Sequence, residues 1–350
     1  MPHSHRRIVS VRAVIALALL GLAAAAPVLS APIQRTFVRS TGVDTNPCSL
    51  ALPCRSFNVA IANTLSGGEV VILDTAGYGP MLIDKEIKII GPTGVYGGIS
   101  TINAGTDGIT INAGNSDVVT LRGLDVTGLG GLNGINVVNA DTVYIQATSV
   151  SGFFQPGGAC VRLNTARSMG LVIVDSFLHD CETGVRVNGS SAANRPVVDV
   201  ENARFVGMDT GLSLSGNYAV NLRNSTVITG GIGVLTSDTI DNTFSRLNVD
   251  DSLFTTNFGG AIKTTGSGTA APIFAISNSR FHQNFALVLH GFGQVSIDRI
   301  TAITGPHSFV NCGSGSIISA GNNTINLMGD QGVPAGCASY ITSFTTIVPK

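Results

Sequence analysis

The chain has 350 residues, of which only 12% are charged and 44% hydrophobic, with a formal net charge of −1. Soluble domains carry about twice that share of charge, and without a basic footprint neither nucleic acid nor an anionic membrane surface is expected as a partner. Glycine is abundant, at 43 residues, but the hydrophobic share excludes a disordered glycine-rich polymer.

The first element is a leader. Met1 to Arg12 contains Arg6, Arg7 and Arg12 and no acid; Ala13 to Val28 reads AVIALALLGLAAAAPV, and small residues follow at Ser30 and Ala31. A basic start, an apolar stretch and a small-residue exit predict a signal peptide over residues 1–30 and a secreted or periplasmic protein. The apolar run is too short for a membrane span. Its removal lowers Lys+Arg from 20 to 17 against 21 acids, a formal charge of −4 for residues 31–350.

Six cysteines in an exported chain predict disulfides rather than a metal site. Cys48 and Cys54 share the segment PCSLALPC, and Cys312 and Cys337 share the C-terminal region. Cys160 and Cys181 then remain, about one repeat apart. No cysteine–histidine cluster has zinc spacing.

Arg55 to Leu65 places Phe57, Ala60, Ile61 and Leu65 at helical spacing, so a short helix over about 55–65 is expected to cap the first coil. Coils follow over about 68–330. From Val118 one phrase recurs: VTLRGLDVTG, VYIQATSVSG, LVIVDSFLHD, VDVENARFVG, VNLRNSTVIT, LNVDDSLFTT, FAISNSRFHQ, VSIDRITAIT and, more faintly, SIISAGNNTI. Its second apolar residue falls at Leu121, Ile145, Ile173, Val200, Leu222, Val249, Ile276, Ile297 and Ile318, at steps of 21 to 28 residues. A second strand signal follows each phrase: GVRV at Gly184, GLSL at Gly211, GVLT at Gly233, AIKT at Ala261 and ALVL at Ala286. Short alternating stretches at such a period predict an all-β solenoid, a single-stranded right-handed parallel β-helix.

Directly after the first strand stand Asp175, Asn202, Asn224, Asp251 and Asn278, each followed by a small residue. Asparagine and aspartate tolerate left-handed backbone, so this column predicts a tight bend repeated on every coil. Two residues beyond the small residue, Leu178, Phe205, Val227, Phe254 and Phe281 are expected to stack inside. Beyond the coils, residues 331–350 are expected to fold over the last one, tied by Cys312 and Cys337.

Residues 57–91, FNVAIANTLSGGEVVILDTAGYGPMLIDKEIKIIG, together with the repeats, resemble the pectin-lyase-like right-handed β-helix proteins of exported bacterial type. The resemblance covers about residues 35–330. It implies the fold, and carbohydrate as the class of ligand, but no enzyme subfamily. The Asp-Phe-Ile-Phe-Gly segment of pectin methylesterases is missing. Of the polygalacturonase signatures only Asp250-Asp251 and His290-Gly291 survive, in different strand columns.

Two columns carry the candidate chemistry. The outward positions of the first strand read Arg122, Gln146, Val174, Glu201, Arg223, Asp250, Ser277 and Asp298. Glu201 and Asp250, two coils or ~9–10 Å apart, approach the carboxylate separation of inverting glycosidases, with Arg223 between them to hold a sugar acid. An acid–base–acid ladder on a sheet surface is the plainer account. The second strand gives Arg162, Arg186, Ser213, Leu235, Lys263, Val288 and Asn311, with Asn164 and Asn188 beside the two arginines; such a patch suits an acidic saccharide. His179 and His282 share a column four coils apart and cannot act together. Asp238 and Asp241, in the loop TSDTIDNTFSR near Asp250, raise calcium, but no EF-hand or glycine–aspartate repeat accompanies them, and no cofactor is expected. Tryptophan is absent and tyrosine is limited to Tyr78, Tyr96, Tyr144, Tyr218 and Tyr340, so aromatic platforms for sugar rings are not expected. The sequence thus favours a monomeric, non-catalytic glycan- or surface-interacting module, with a polysaccharide lyase or glycoside hydrolase acting on an acidic polysaccharide as the alternative.

Overall fold

The computed structural model describes residues 33–189, 193–238, 245–266, 272–284, 286–290, 294–303, 307–311, 316–326, 339–340 and 345–346. The leader, Cys312, Cys337, Asp241 and most of the expected C-terminal cap lie outside these residues. The described residues form the parallel β-helix expected. Three parallel sheets run along it, of 13, 11 and 11 strands among the described residues. One coil serves to define them. Gly170–Val174 lies in sheet 1, Phe177–His179 in sheet 2 and Thr183–Gly189 in sheet 3, and the chain then climbs one coil to Val197–Glu201 in sheet 1.

Sheet 1 stacks the first-strand phrase in the frame its alternation predicts. Ile145 pairs with Leu121 and Ile173, and the column continues through Val200, Leu222, Val249, Ile276 and Ile297, all buried. Period-two alternation fixes this register because a slip of one residue would turn the apolar set outward. The last coil departs from it: Ile318 pairs with Ser296, and Ile317 with Val295. The segment SIIS has two adjacent isoleucines, so its pattern does not single out a frame. The same ambiguity shifts sheet 3. Val288 pairs with Ile262, so Leu289 rather than Val288 stands beside Lys263, and Asn311 pairs with His290. ALVL has no polar residue to mark its faces.

The corner between sheets 1 and 2 follows from its residue types. Asp175, Asn202, Asn224, Asp251 and Asn278 all have left-handed backbone, with φ between 45° and 53°, and Gly123, Ala147 and Arg299 extend the column at positive φ. From Gly123 to Asn278 each backbone N–H in it donates to the backbone carbonyl one coil along, as Asn224 N does to Asp250 O at 3.1 Å, whereas Arg299 N donates to Asn322 Oδ1. The small residues that follow are buried, and serines among them bond both ways. Ser225 Oγ donates to Arg223 O at 2.7 Å and accepts from Ala203 N at 3.1 Å, and Ser252 and Ser279 repeat the device. Beneath the corner, Leu178, Phe205, Val227, Phe254 and Phe281 form one buried file, with the last two rings stacked at 5.1 Å.

The helix α1 spans Phe57–Asn63, shorter than the spacing suggests. Phe57, Ala60 and Ile61 are buried against the first coil, whereas Leu65 belongs to the strand Thr64–Ile72 and is exposed. Asp44 Oδ1 accepts from the N–H groups of Arg55 and Ser56, both at 2.8 Å, and fixes the entry to α1. Cys48–Cys54 closes the loop before it, and Cys160–Cys181 joins two neighbouring coils. At the far end Ser339–Tyr340 pairs antiparallel with sheet 3, and Thr345–Thr346 adds a parallel edge to sheet 1.

Candidate functional site

The outward column of sheet 1 stands in the predicted order, Glu201 beside Arg223 and Arg223 beside Asp250. Arg223 Nη2 lies 3.4 Å from Glu201 Oε2, with both side chains 51% exposed. Asp250 turns away from Arg223: its Oδ1 accepts from Ser277 Oγ at 2.7 Å and Asn278 Nδ2 at 2.8 Å. These two bonds hold its carboxyl below the usual carboxylate range, against the opposing effect of burial. A general acid must keep its proton near the working pH, so a lowered value fits Asp250 for the part of base rather than of acid.

The neighbouring outward column of the same sheet is an amide ladder. Asn221 Nδ2 donates to Asp199 Oδ1 at 2.6 Å, and Asn248 Nδ2 to Asn221 Oδ1 at 2.7 Å. From Asp199 to Ser277 these two columns of sheet 1 bond largely among themselves, whereas Arg122, earlier in the outward column, is exposed.

Sheet 3 is different. Arg162 pairs with Arg186, and Asn164 with Asn188, one coil apart as the sequence suggests. The two arginines play unlike parts. Arg186 donates to Gly157 O at 2.7 Å and Thr183 Oγ1 at 2.9 Å, with Glu182 Oε1 at 3.8 Å, and so fastens the loop before Ala159. Burial lowers its basicity, Glu182 restores part of it, and the like charge of Arg162 lowers it again. Arg162 makes no hydrogen bond or ion pair to any described residue, and its Nε is buried without a partner. Asn188 is occupied by Ser215 Oγ at 3.1 Å, whereas Asn164 is exposed.

The column extends one coil further than the sequence reading took it. Asn136 pairs with Arg162, and its Nδ2 donates to Asp107 Oδ2 at 2.7 Å; Asn133 Nδ2 donates to Asp107 Oδ1, also at 2.7 Å. The Oδ1 atoms of both asparagines are buried without partners. The strand NGINVVN carries the signal for this extension, since its Gly134 aligns with Gly184, Gly211 and Gly233 in later second strands. Arg162 thus lies between an asparagine bound to Asp107 on one side and a second cation on the other.

His179 and His282 lie four coils apart in one column of sheet 2, as expected. His179 is bound instead to Asp180 Oδ2 at 2.9 Å and stacked on Phe177 at 4.3 Å. Asp238 ends a strand of sheet 3, and among the described residues no three His, Cys, Asp or Glu side chains converge on a metal-sized site. No helix among the described residues is long and apolar enough to cross a membrane. Among the aromatics, Tyr96 is 45% exposed and Phe154 and Phe258 are more so.

No protein-family model matches the chain, and no curated protein does. Solved structures do. A pectate lyase, Pel9A, superimposes with a TM-score of 0.52 at 12% identity, over 86% of this chain and 80% of that one. A rhamnogalacturonan lyase gives a TM-score of 0.41 at 14% identity, over 77% and 74% of the two chains. A GH136 lacto-N-biosidase from Eubacterium ramulus gives 0.44 at 11% identity, over 84% and 68%. At such identity the likeness to Pel9A speaks for the backbone alone: the chain has the fold of a right-handed parallel β-helix.

Proposed function

We propose that the chain is an exported, non-catalytic module that binds an acidic glycan on the outer face of sheet 3, with Arg162 as the carboxylate-binding group. The observation that carries this is the unspent cation: Arg162 has no partner among the described residues, yet it stands next to Arg186, whose charge it opposes. A carboxylate laid across the pair would take up the free guanidinium and relieve the repulsion. Exposed Asn164 adds a polar partner beside it, and Asn136, itself held by Asp107, flanks the other side. Arg186 serves as a positioning residue through Gly157 and Thr183. The carbohydrate-acting proteins among its structural neighbours are in keeping with a glycan ligand.

Calorimetric titration with polygalacturonate and alginate oligomers, followed by product analysis, tests the proposal. Binding is expected to weaken with salt, and Arg162→Ala to reduce affinity by about tenfold or more, the scale of one charge-assisted pair. No chain shortening is expected on pectate, alginate or neutral glucans. Equal binding by Arg162→Ala would overturn the assignment of the site, and cleavage products would replace it with the lyase or hydrolase alternative.

A further inference from the structure

The corner between sheets 1 and 2 changes character along the helix. From Asp175 onward its left-handed position carries an aspartate or asparagine side chain on five successive coils. In the three coils before, the equivalent positions are Gly91, Gly123 and Ala147, and no side chain covers the bend. The glycines are demanded by the backbone itself, since a Cβ on either Gly91 or Gly123 would run into the other's carbonyl. The result is a cleft of about 310 Å³, lined among others by Tyr96, Arg122, Asp125 and Ser149. That volume is at the small end of the range for ligand sites.

Tyr96 closes one side of it in a defined pose. Its ring lies against Gly98, where a Cβ would come within 2.5 Å of the ring carbon Cε1, so glycine there lets the ring rest against sheet 2. Its backbone N–H donates to Thr75 Oγ1 at 3.1 Å. The Asp125 carboxylate, which also accepts from Thr127 Oγ1 at 3.0 Å, lies against its hydroxyl. Burial and this carboxylate raise the phenol above its ordinary value, so the hydroxyl stays protonated and bonded. Tyr96, so placed, stays 45% exposed at the edge of the cleft.

We propose that this cleft binds one neutral pyranose residue of a glycan, stacked on Tyr96, with Asp125, Arg122 and Ser149 as partners for its hydroxyls. A pyranose ring has an apolar face of C–H groups and a polar rim, which matches a flat ring bordered by hydrogen-bonding side chains. Arg122 and Asp125 contribute opposite charges, so the cleft does not select an anion. In this it differs from the Arg162 face of sheet 3, and it stands or falls independently of that site.

The test is titration of the native chain with neutral tetrasaccharides of glucose, xylose and galactose, followed by tyrosine fluorescence, which is unobscured because tryptophan is absent. At least one is expected to bind. Tyr96→Ala should weaken that binding by about tenfold and Tyr96→Phe by less than about threefold, as for loss and retention of an aromatic contact. Ala147→Asn provides a variant whose folding is secure: it supplies the side chain that Asn202 and Asn224 carry at the same left-handed position, so it should cover the cleft and abolish binding without lowering the melting temperature. Arg162→Ala should leave binding unchanged. The proposal is overturned if no neutral tetrasaccharide binds, if Tyr96→Ala binds as tightly as the native chain, or if a stably folded Ala147→Asn still binds.

Discussion

A left-handed backbone position costs an ordinary residue about 1–2 kcal/mol, and asparagine or aspartate less because the short side chain bonds locally. That difference is repeated at Asp175, Asn202, Asn224, Asp251 and Asn278, and Asn202 Nδ2 also reaches along the file to Asp175 Oδ1 at 2.6 Å. Asn224→Val is therefore expected to destabilise the chain by about 1–2 kcal/mol in urea unfolding, while Asn224→Gly stays close to native. Asp250 makes a second prediction at this scale. Its folded-state pKa lies below that of an unfolded aspartate, about 3.9, so its stabilisation is complete above that pH and is lost as pH falls through the folded value. Melting temperature followed from pH 6 to pH 2, a range of about four units spanning that value, should fall less steeply in Asp250→Asn than in the native chain.

Elements were legible in the sequence wherever alternation ran for five residues between turn formers. The sheet 1 strands from Val118 to Asp298 came out in register, and with them the left-handed column, whose residue types state their own backbone conformation. Strands without alternation were misplaced by one residue, as at ALVL and SIIS, because an unbroken apolar run fits either face. The candidate columns were legible as rows, but not which arginine is spent on the fold. That depends on Gly157 O and Thr183 Oγ1 coming to Arg186 rather than to Arg162, a matter of loop conformation that no spacing encodes. A buried amide ladder at the next corner was also missed, because its members stand after strands only three residues long. There Asn257 Nδ2 donates to Asn284 Oδ1 at 2.7 Å, and Asn257 Oδ1 accepts from Thr229 N and Oγ1 at 3.0 and 2.7 Å. Asn257 is wholly buried, so Asn257→Leu strands several polar atoms at once and should cost about 3 kcal/mol or more of unfolding free energy.

In the molecule as a whole, each coil packs on its two neighbours, so surface chemistry is arranged as rows that run along the axis. The polar rows of sheet 1 bond among themselves from Asp199 to Ser277, the sheet 3 row leaves Arg162 open, and the uncovered corner at Gly91, Gly123 and Ala147 leaves Tyr96 open. All of these assignments depend on residues two dozen positions apart being one coil apart. Pulsed electron–electron spin resonance on label pairs in one outward row of sheet 1 measures this directly. Thr120 is linked to Asn221, Asn248 and Ser296 by four, five and seven successive strand pairings. At ~4.8 Å per pairing the separations should rise in step, about 19, 24 and 34 Å. Distances that fail to increase in that order, or that scatter without a common rise per coil, would contradict the stacked architecture and every site placed on it.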